Sequence, residues 1–589
     1  MQNPLEFYTA EKAHFEQELK KLKKKLAVSS SLRLLIFLST IFGVYFFFGT
    51  IKIMISIVVI GVSLFIYLIA RHSNLQYKSN LNKALVEINE TEIKVLNRDY
   101  VSLNDGNEFV DHSHPFSYDI DLFGKGSFFQ YCNRTVTNDG KKEFVDKLIT
   151  NDITNIKEKQ LGIKELSQKP KWRQQFSALA SLVKVEHPAE EIVDWIHNYK
   201  SEFPKFISFL PKVFSMISIV LIALAVMGII AEQVLLLWFF VGLGISGAYH
   251  KRVNELYNDA SNTKDTFKQY HKLLNEIESI SFTSEILREK QQQIQTESQK
   301  ASTIFAKFSK VLDAFDQRNN LLIDFFGNAF LLRDLQQVHN VEKWMNRYKD
   351  VVEDWFKVIA FFDAQNSLAN FAFNHPNYVF PEIEKNKGVI ISKNLGHPLL
   401  KESERIDNDF KIENHQFFII TGANMAGKST FLRTVSLAIV MANMGMPVCA
   451  EKFKYSPIKL ITSMRTSDSL ADNESYFFSE LKRLKFIVDE IKNEDYFIIL
   501  DEILKGTNST DKAIGSKKFV QKLVASNSTG IIATHDLSLC EIEKELSEVL
   551  NYYFDAEIIN DELHFDYKLK VGTCKNMNAS FLLKKMEIV

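Results

Sequence analysis

The residues with the clearest chemistry lie in the last third of the chain. Thr421-Gly422-Ala423-Asn424-Met425-Ala426-Gly427-Lys428-Ser429-Thr430 contains the pattern GxxxxGK[ST]. It follows the apolar run Phe417-Phe418-Ile419-Ile420 and precedes a predicted helix over residues 431–444. That order is what phosphate binding needs: glycines let the backbone wrap a phosphate, and the helix N-terminus stabilises its charge. Gly422, Ala423, Asn424, Met425, Ala426, Gly427, Lys428, Ser429 and Thr430 are therefore candidate nucleotide ligands. Lys428 is placed to reach the β- and γ-phosphates, and Ser429 to bind Mg²⁺.

About 75 residues later, the run Tyr496-Phe497-Ile498-Ile499-Leu500 ends in Asp501-Glu502. A carboxylate pair leaving a buried strand suits hydrolysis, with Asp501 holding Mg²⁺ through water and Glu502 polarising the attacking water. His535 ends a further strand-like run, Gly530-Ile531-Ile532-Ala533, and can contact the γ-phosphate or the water. Together these residues describe an ATPase with ATP and Mg²⁺ as its ligands.

The elements needed to hold them are readable from composition. Short β-type runs (389–391, 417–421, 497–500, 530–533) alternate with helical stretches after Pro376, which predicts an α/β unit with a mostly parallel sheet over residues 376–589. Upstream, residues 119–205 and 251–373 read as helical, with 285–308 as one extended helix, and residues 101–118 read as a loop or linker. Hydrophobic residues make up 46% and charged residues 24%, which excludes a disordered chain. A net charge of −1 excludes a global basic footprint for nucleic acid. The four cysteines form no CxxC pair, which argues against a zinc site or a disulfide framework.

Four apolar, uncharged runs stand out at residues 34–48, 53–70, 213–230 and 234–249. Each is about 15–18 residues, slightly short of the roughly 20 of a spanning helix, and each pair is joined by a tight turn. They read as two transmembrane hairpins, about 34–70 and 213–249, with buried core helices as the other reading. Lys20, Lys21, Lys23, Lys24, Lys25 and Arg71 flank the first hairpin, and Lys205, Lys212, Lys251 and Arg252 flank the second. By the positive-inside rule the termini and the ATP site are cytoplasmic, as expected of a multi-pass protein of a bacterial inner membrane.

Several segments resemble the MutS family of ABC-type ATPases. Residues 421–430 are similar to TGPNMGGKST, with Ala423 at its Pro and Ala426 at one Gly. Residues 501–511 resemble DEIGRGTSTYD, with Lys505 at the Arg. Ser475-Tyr476-Phe477-Phe478-Ser479-Glu480 resembles STFMVE, and Gly396-His397-Pro398 the family's GRHP-type stretch. Asn133-Arg134-Thr135-Val136-Thr137 with Gly140 is similar to the DRTVT-x-x-G that opens its helical core and lever region. The resemblance implies an α/β P-loop ATPase domain of ABC/MutS type joined to a mainly α-helical lever region. It also implies a homodimer, with Ser475 contacting nucleotide across the interface, and a DNA ligand. It implies three parts: 1–118 with the first hairpin, 119–375 with the lever and second hairpin, and 376–589 with the ATPase.

The family's mismatch-reading and clamp domains have no visible counterpart. Two functions remain open: a membrane-anchored ATPase coupled to duplex or mismatched DNA in repair, and one acting on a non-DNA partner. Lys141, Lys142, Lys169, Lys171 and Arg173 form either a DNA-facing patch or a solvated helix surface. An ABC transporter would call for more spanning helices and an LSGGQ-like signature.

Overall fold

The computed structural model describes residues 3–182, 188–295, 299–384, 388–465, 476–559 and 562–574. The chain begins with a long helical hairpin, α1 (Pro4–Phe46) and α2 (Ile51–Leu96), reversing where Gly49 takes a positive φ. Short helices follow: α3 (Phe128–Cys132), α4 (Asn138–Ile149), α5 (Ile156–Ser167), α6 (Pro170–Ser181) and α7 (Ala189–Asn198). A second hairpin joins α8 (Leu210–Val226) to α9 (Glu232–Ser279). Then come α10 (Glu285–Gln292), α11 (Ala301–Asp316), α12 (Leu321–Leu331) and the 42-residue α13 (Arg333–Asn374).

The remainder is α/β: β1 (Glu382–Ile383), β2 (Gly388–Leu395), β3 (Asn408–Glu413), β4 (Phe417–Gly422), α14 (Lys428–Asn443), β5 (Lys452–Tyr455), β6 (Lys459–Ser463), α15 (Tyr476–Glu490), β7 (Tyr496–Asp501), α16 (Ser509–Ala525), β8 (Thr529–Ala533), β9 (Val549–Phe554), β10 (Glu557–Ile559), β11 (Glu562–His564) and β12 (Leu569–Val571). Its main sheet has the order β12-β9-β4-β8-β7-β6. All neighbours run parallel except β12, which pairs antiparallel with β9. The central strands are apolar throughout because both faces are covered: every residue of β4 and β8 is buried. In such a sheet ligands gather at the carboxyl ends of the strands, and β4, β7 and β8 end side by side.

The structure revises four expectations. Residues 285–308 form two helices rather than one, because Glu278 on α9 accepts hydrogen bonds from the Ser302 amide (3.0 Å) and hydroxyl (2.5 Å) and so starts α11 afresh. Residues 101–118 are not a free linker. The Pro115 carbonyl accepts from the Thr462 amide at 2.9 Å, and just beyond, Asp119 accepts from the Met464 and Arg465 amides at 3.1 and 2.8 Å. The helix after β4 starts at Lys428, three residues before the expected 431. The second hairpin turns at residues 227–231, so α8 ends at Val226 rather than at 230.

Helices α1, α2 and α9 are long and apolar enough to cross a membrane, by length and composition; α8 and α12 are shorter apolar helices. The helical part has its own core, in which Phe267 packs edge-on to Phe305, Phe308, and Trp344 with ring centroids 4.8–5.3 Å apart. The stretch 133–140 is tied to α13. The buried Asp363 carboxylate accepts from the amides of Val136 and Thr137 (3.0 and 2.8 Å) and from the Thr137 hydroxyl (2.7 Å). Arg134 pairs with Glu92 of α2 at 2.5 Å, and Glu92 accepts from Asn374 at 2.7 Å, so the stem of the first hairpin is bonded to the end of α13.

Candidate active site

β4 runs into a loop that only unusual backbone can close. Gly422 has φ +152°, and a Cβ there would lie 2.6 Å from the Phe554 carbonyl oxygen of β9. Gly427 has φ +103° as it opens α14. Ala426 is buried and free of positive φ, which is why a methyl is tolerated at this departure from the family pattern. Asn424, Met425 and Thr430 face solvent, with Met425 at φ +68°. α14 has no side-chain cap, so its first amides remain open to an anion.

Five functional side chains meet at the ends of β4, β7 and β8, four of them in pairs and the fifth on backbone carbonyls. The Lys428 ammonium donates to the carbonyls of Gly422 (2.9 Å) and Ala423 (3.0 Å). Burial lowers its pKa, against the pull of Glu502 and Asp501. The Ser429 hydroxyl donates to Asp501 Oδ2 at 2.6 Å. Burial raises the Asp501 pKa against that hydrogen bond. Glu502 Oε1 lies 2.6 Å from His535 Nε2. The hydrogen bond from His535 holds the Glu502 carboxyl down at about 2, so it is ionised at any working pH. Nε2 is also 3.3 Å from Lys428 Nζ. An Nε2 that donates its proton to Glu502 has no lone pair with which to accept from Lys428, whose ammonium keeps its two carbonyls.

The loop after β7 is strained and then held. Glu502 and Leu504 both have positive φ (+51° and +59°), a cost of about 1–3 kcal/mol each for residues with a Cβ. The Glu502 amide still bonds the Ala533 carbonyl at 2.9 Å, continuing the ladder to β8. Glu480 of α15, 2% exposed, accepts from the Leu504 amide at 2.5 Å and the Lys505 amide at 3.0 Å. Sequence patterning quoted Glu480 only as the end of a motif; its partners lie 24 and 25 positions away, which no local signal reveals. Lys505 Nζ stands 3.8 Å from Glu502 Oε2.

A cavity of about 310 Å³ borders Gly427 and Thr430 and is lined by His397, Phe431, Phe554 and Tyr567. It gives Gly396-His397-Pro398 a place beside the loop. Tyr567 carried no sequence signal, because its position depends on strands β11 and β12 folding back. Ser475 lies outside the described residues.

The structure therefore brings together Gly422, Lys428, Ser429, Asp501, Glu502 and His535, while Lys141, Lys142, Lys169, Lys171 and Arg173 each have partners of their own. Lys141 pairs with Glu108 (2.8 Å), Lys142 with Glu190 (3.3 Å), Lys169 with Glu165 (3.9 Å) and Lys171 with Glu11 (2.7 Å). Arg173 is buried and donates to the Leu166 carbonyl and to Asn370. Each of these positive charges therefore has a carboxylate or a buried polar partner, which leaves the solvated helix surface the better supported of the two readings.

The profile of MutS domain V matches residues 418–585. The DNA mismatch repair protein MutS of Finegoldia magna is 31% identical over 296 residues, 48% of this chain and 33% of that protein. MutS protein homolog 4 of Homo sapiens is 32% identical over 224 residues, 36% of this chain and 23% of its own length. The MutS of Persephonella marina is 32% identical over 222 residues, 36% and 25% of the two chains. The chain spans a third or less of the length of these curated relatives. Residues 418–585, which carry the loop from Gly422 to Ser429 and the Asp501–Glu502 pair, are thus a domain of the MutS domain V type, and the C-terminal half of the chain is related to the MutS proteins.

Proposed function

We propose that the chain is a membrane-anchored ATPase that binds and hydrolyses ATP with Mg²⁺ at a homodimer interface and couples the cycle to duplex or mismatched DNA. One observation carries the ATPase reading: Lys428, Ser429–Asp501 and Glu502–His535 converge on the uncapped start of α14. The triphosphate lies against the amides of residues 423–430, and Lys428 exchanges its two carbonyls for the β- and γ-phosphates. Ser429 and Asp501 hold Mg²⁺, which when bound offsets phosphate charge. Glu502 orients and polarises the water, and His535 fixes Glu502 and stands ready for the γ-phosphate. The aromatic cavity beside Gly427 suits a purine. By the resemblance of residues 475–480 to the family's segment, Ser475 would contact the nucleotide of the second subunit.

Apolar exteriors on α1, α2, α8 and α9 support the anchor, with Lys and Arg at the feet of both hairpins. The ATPase domain is then cytoplasmic, in a bacterial inner membrane, and α13 with the Glu92–Arg134–Asn374 contacts is the lever between membrane and ATP site. DNA as the ligand draws on the relatives named as DNA mismatch repair proteins. A second reading, a non-DNA partner, is favoured by the neutralised basic residues 141–173.

The deciding experiment is the ATPase rate of nanodisc-held protein with homoduplex and mismatched DNA across a salt series. Stimulation that fades with salt supports DNA, because phosphate contacts are lost as counterions compete. A rate indifferent to DNA at low salt refutes it and leaves the membrane-partner reading.

A further inference from the structure

α12 is a helix of 11 residues, LLIDFFGNAFL, between two charged segments. An apolar stretch of that length is a core helix or a re-entrant segment, too short at about 16 Å to cross a bilayer. It is not a core helix here: Leu321 is 85% exposed, Leu322 70% and Phe326 52%.

Three observations show what it packs on and how the chain reaches it. First, it packs on the apolar run of α9 at backbone contact: a Cβ on Gly242 would fall 2.0 Å from the Ala329 carbonyl oxygen. Phe239 of α9 meets the rings of Phe325, Phe326 and Phe330 at 5.2–6.2 Å. Second, Ser215 of α8 donates to the Leu331 carbonyl at 3.2 Å, so the exposed side chains of α12 continue the apolar exteriors of α8 and α9. Third, the chain enters and leaves at one level. Arg318 before the helix pairs with Asp334 after it at 3.1 Å, both nearly buried, and Arg333 donates to the Ala314 carbonyl at 2.8 Å. The one carboxylate inside the helix, Asp324, accepts from Asn328 at 2.7 Å, so it carries its own partner.

We infer that α12 is a re-entrant element that inserts into the acyl region of the bilayer beside the second hairpin, with its exposed side chains, Leu321 and Leu322 among them, toward lipid. This rests on the membrane reading of α8 and α9. The occupant of the exposed face is lipid, because that face is continuous with the α9 run it packs against at Gly242.

The test uses the full chain in phosphatidylcholine–phosphatidylglycerol nanodiscs, with bimane on Leu322→Cys, on Leu321→Cys as a second exposed position of α12, and on Leu236→Cys in α9. The four native cysteines are buried, and the unsubstituted chain supplies the labelling blank. Both α12 positions and Leu236→Cys are expected to lose most of their emission to lipids carrying a doxyl group on the acyl chain and to resist aqueous iodide. Iodide quenching at α12 with lipid quenching at Leu236→Cys overturns the inference and leaves the hairpin reading standing. Iodide quenching at all three positions overturns both. Protection of the α12 labels from both quenchers means that protein, such as a second copy, covers the face, and overturns the lipid assignment.

Discussion

Replacing Glu480 with Gln perturbs the hydrolytic loop without touching any group expected to meet nucleotide. Glu480 is acceptor-only, and it receives the Leu504 and Lys505 amides on its two oxygens. The Gln amide has one oxygen, so one buried N–H loses its partner and faces an NH₂ instead. A hydrogen bond to a charged group contributes about 1.5–3 kcal/mol, and the loop it holds already carries two positive-φ residues. If the loop relaxes by that amount, Glu502 leaves its position beside His535, and hydrolysis slows by about 10- to 100-fold. The P-loop is untouched, so nucleotide affinity stays within about twofold, well under the tenfold that 1.4 kcal/mol represents. Single-turnover hydrolysis and a fluorescent-nucleotide titration separate the two quantities. A folded Glu480→Gln protein that hydrolyses at the parental rate refutes the claim that Glu480 positions the loop.

Other outcomes follow from the same contacts. Glu502→Gln retains ATP binding and hydrolyses slowly, accumulating an ATP-bound dimer visible by size-exclusion chromatography; hydrolysis at the parental rate reassigns the base. Lys428→Ala lowers ATP affinity by at least about tenfold in the same titration, since it removes the buried charge facing the phosphates. His535→Gln removes the main cause of the low Glu502 pKa, about 2 against an ordinary 4.5. A depressed carboxylate is ionised above its pKa and protonates as pH falls through it. The parent should therefore show no Glu502 limb between pH 4 and 6, while in the variant the Glu502 limb of the pH–rate profile moves up from about 2 toward the ordinary carboxylate range. Gly140→Ala puts a Cβ 2.3 Å from Asp363 Oδ2. The clash outweighs alanine's helix preference of about 1 kcal/mol, so thermal unfolding should show a net loss of about 1–2 kcal/mol.

The nucleotide loop and the carboxylate pair were legible because their chemistry is carried by consecutive residues at strand ends. Gly422 to Ser429 and Asp501–Glu502 need only local chain to be recognised. The apolar hairpins were legible by composition, although their ends were not: α8 stops at Val226 because Gly228 turns the chain. What escaped reading depends on distant partners. Asp119 meets strand β6 across more than 340 positions, so its neighbourhood read as a linker. Glu278 starts α11 from another helix, which hid the break after Gln292. The 11 residues of α12, most of them apolar, are flanked by Arg318 and Arg333-Asp334, and that stretch reads as part of a long charged helical region. The roles of Lys141, Lys142 and Lys171 stay open in the sequence because their carboxylates, Glu108, Glu190 and Glu11, come from distant segments.

The length of α13 has a mechanical consequence. Its 42 residues make a rod of about 63 Å, bonded at one end to Glu92 and at the other to the segment before α12. A tilt of about 5° about the Asn374 end sweeps the Arg333 end through roughly 5 Å, close to a full helical pitch. The gain comes from geometry alone, and it reduces force in the same proportion. Movements of a fraction of an ångström near the pivot therefore arrive at the far end as large, weak displacements.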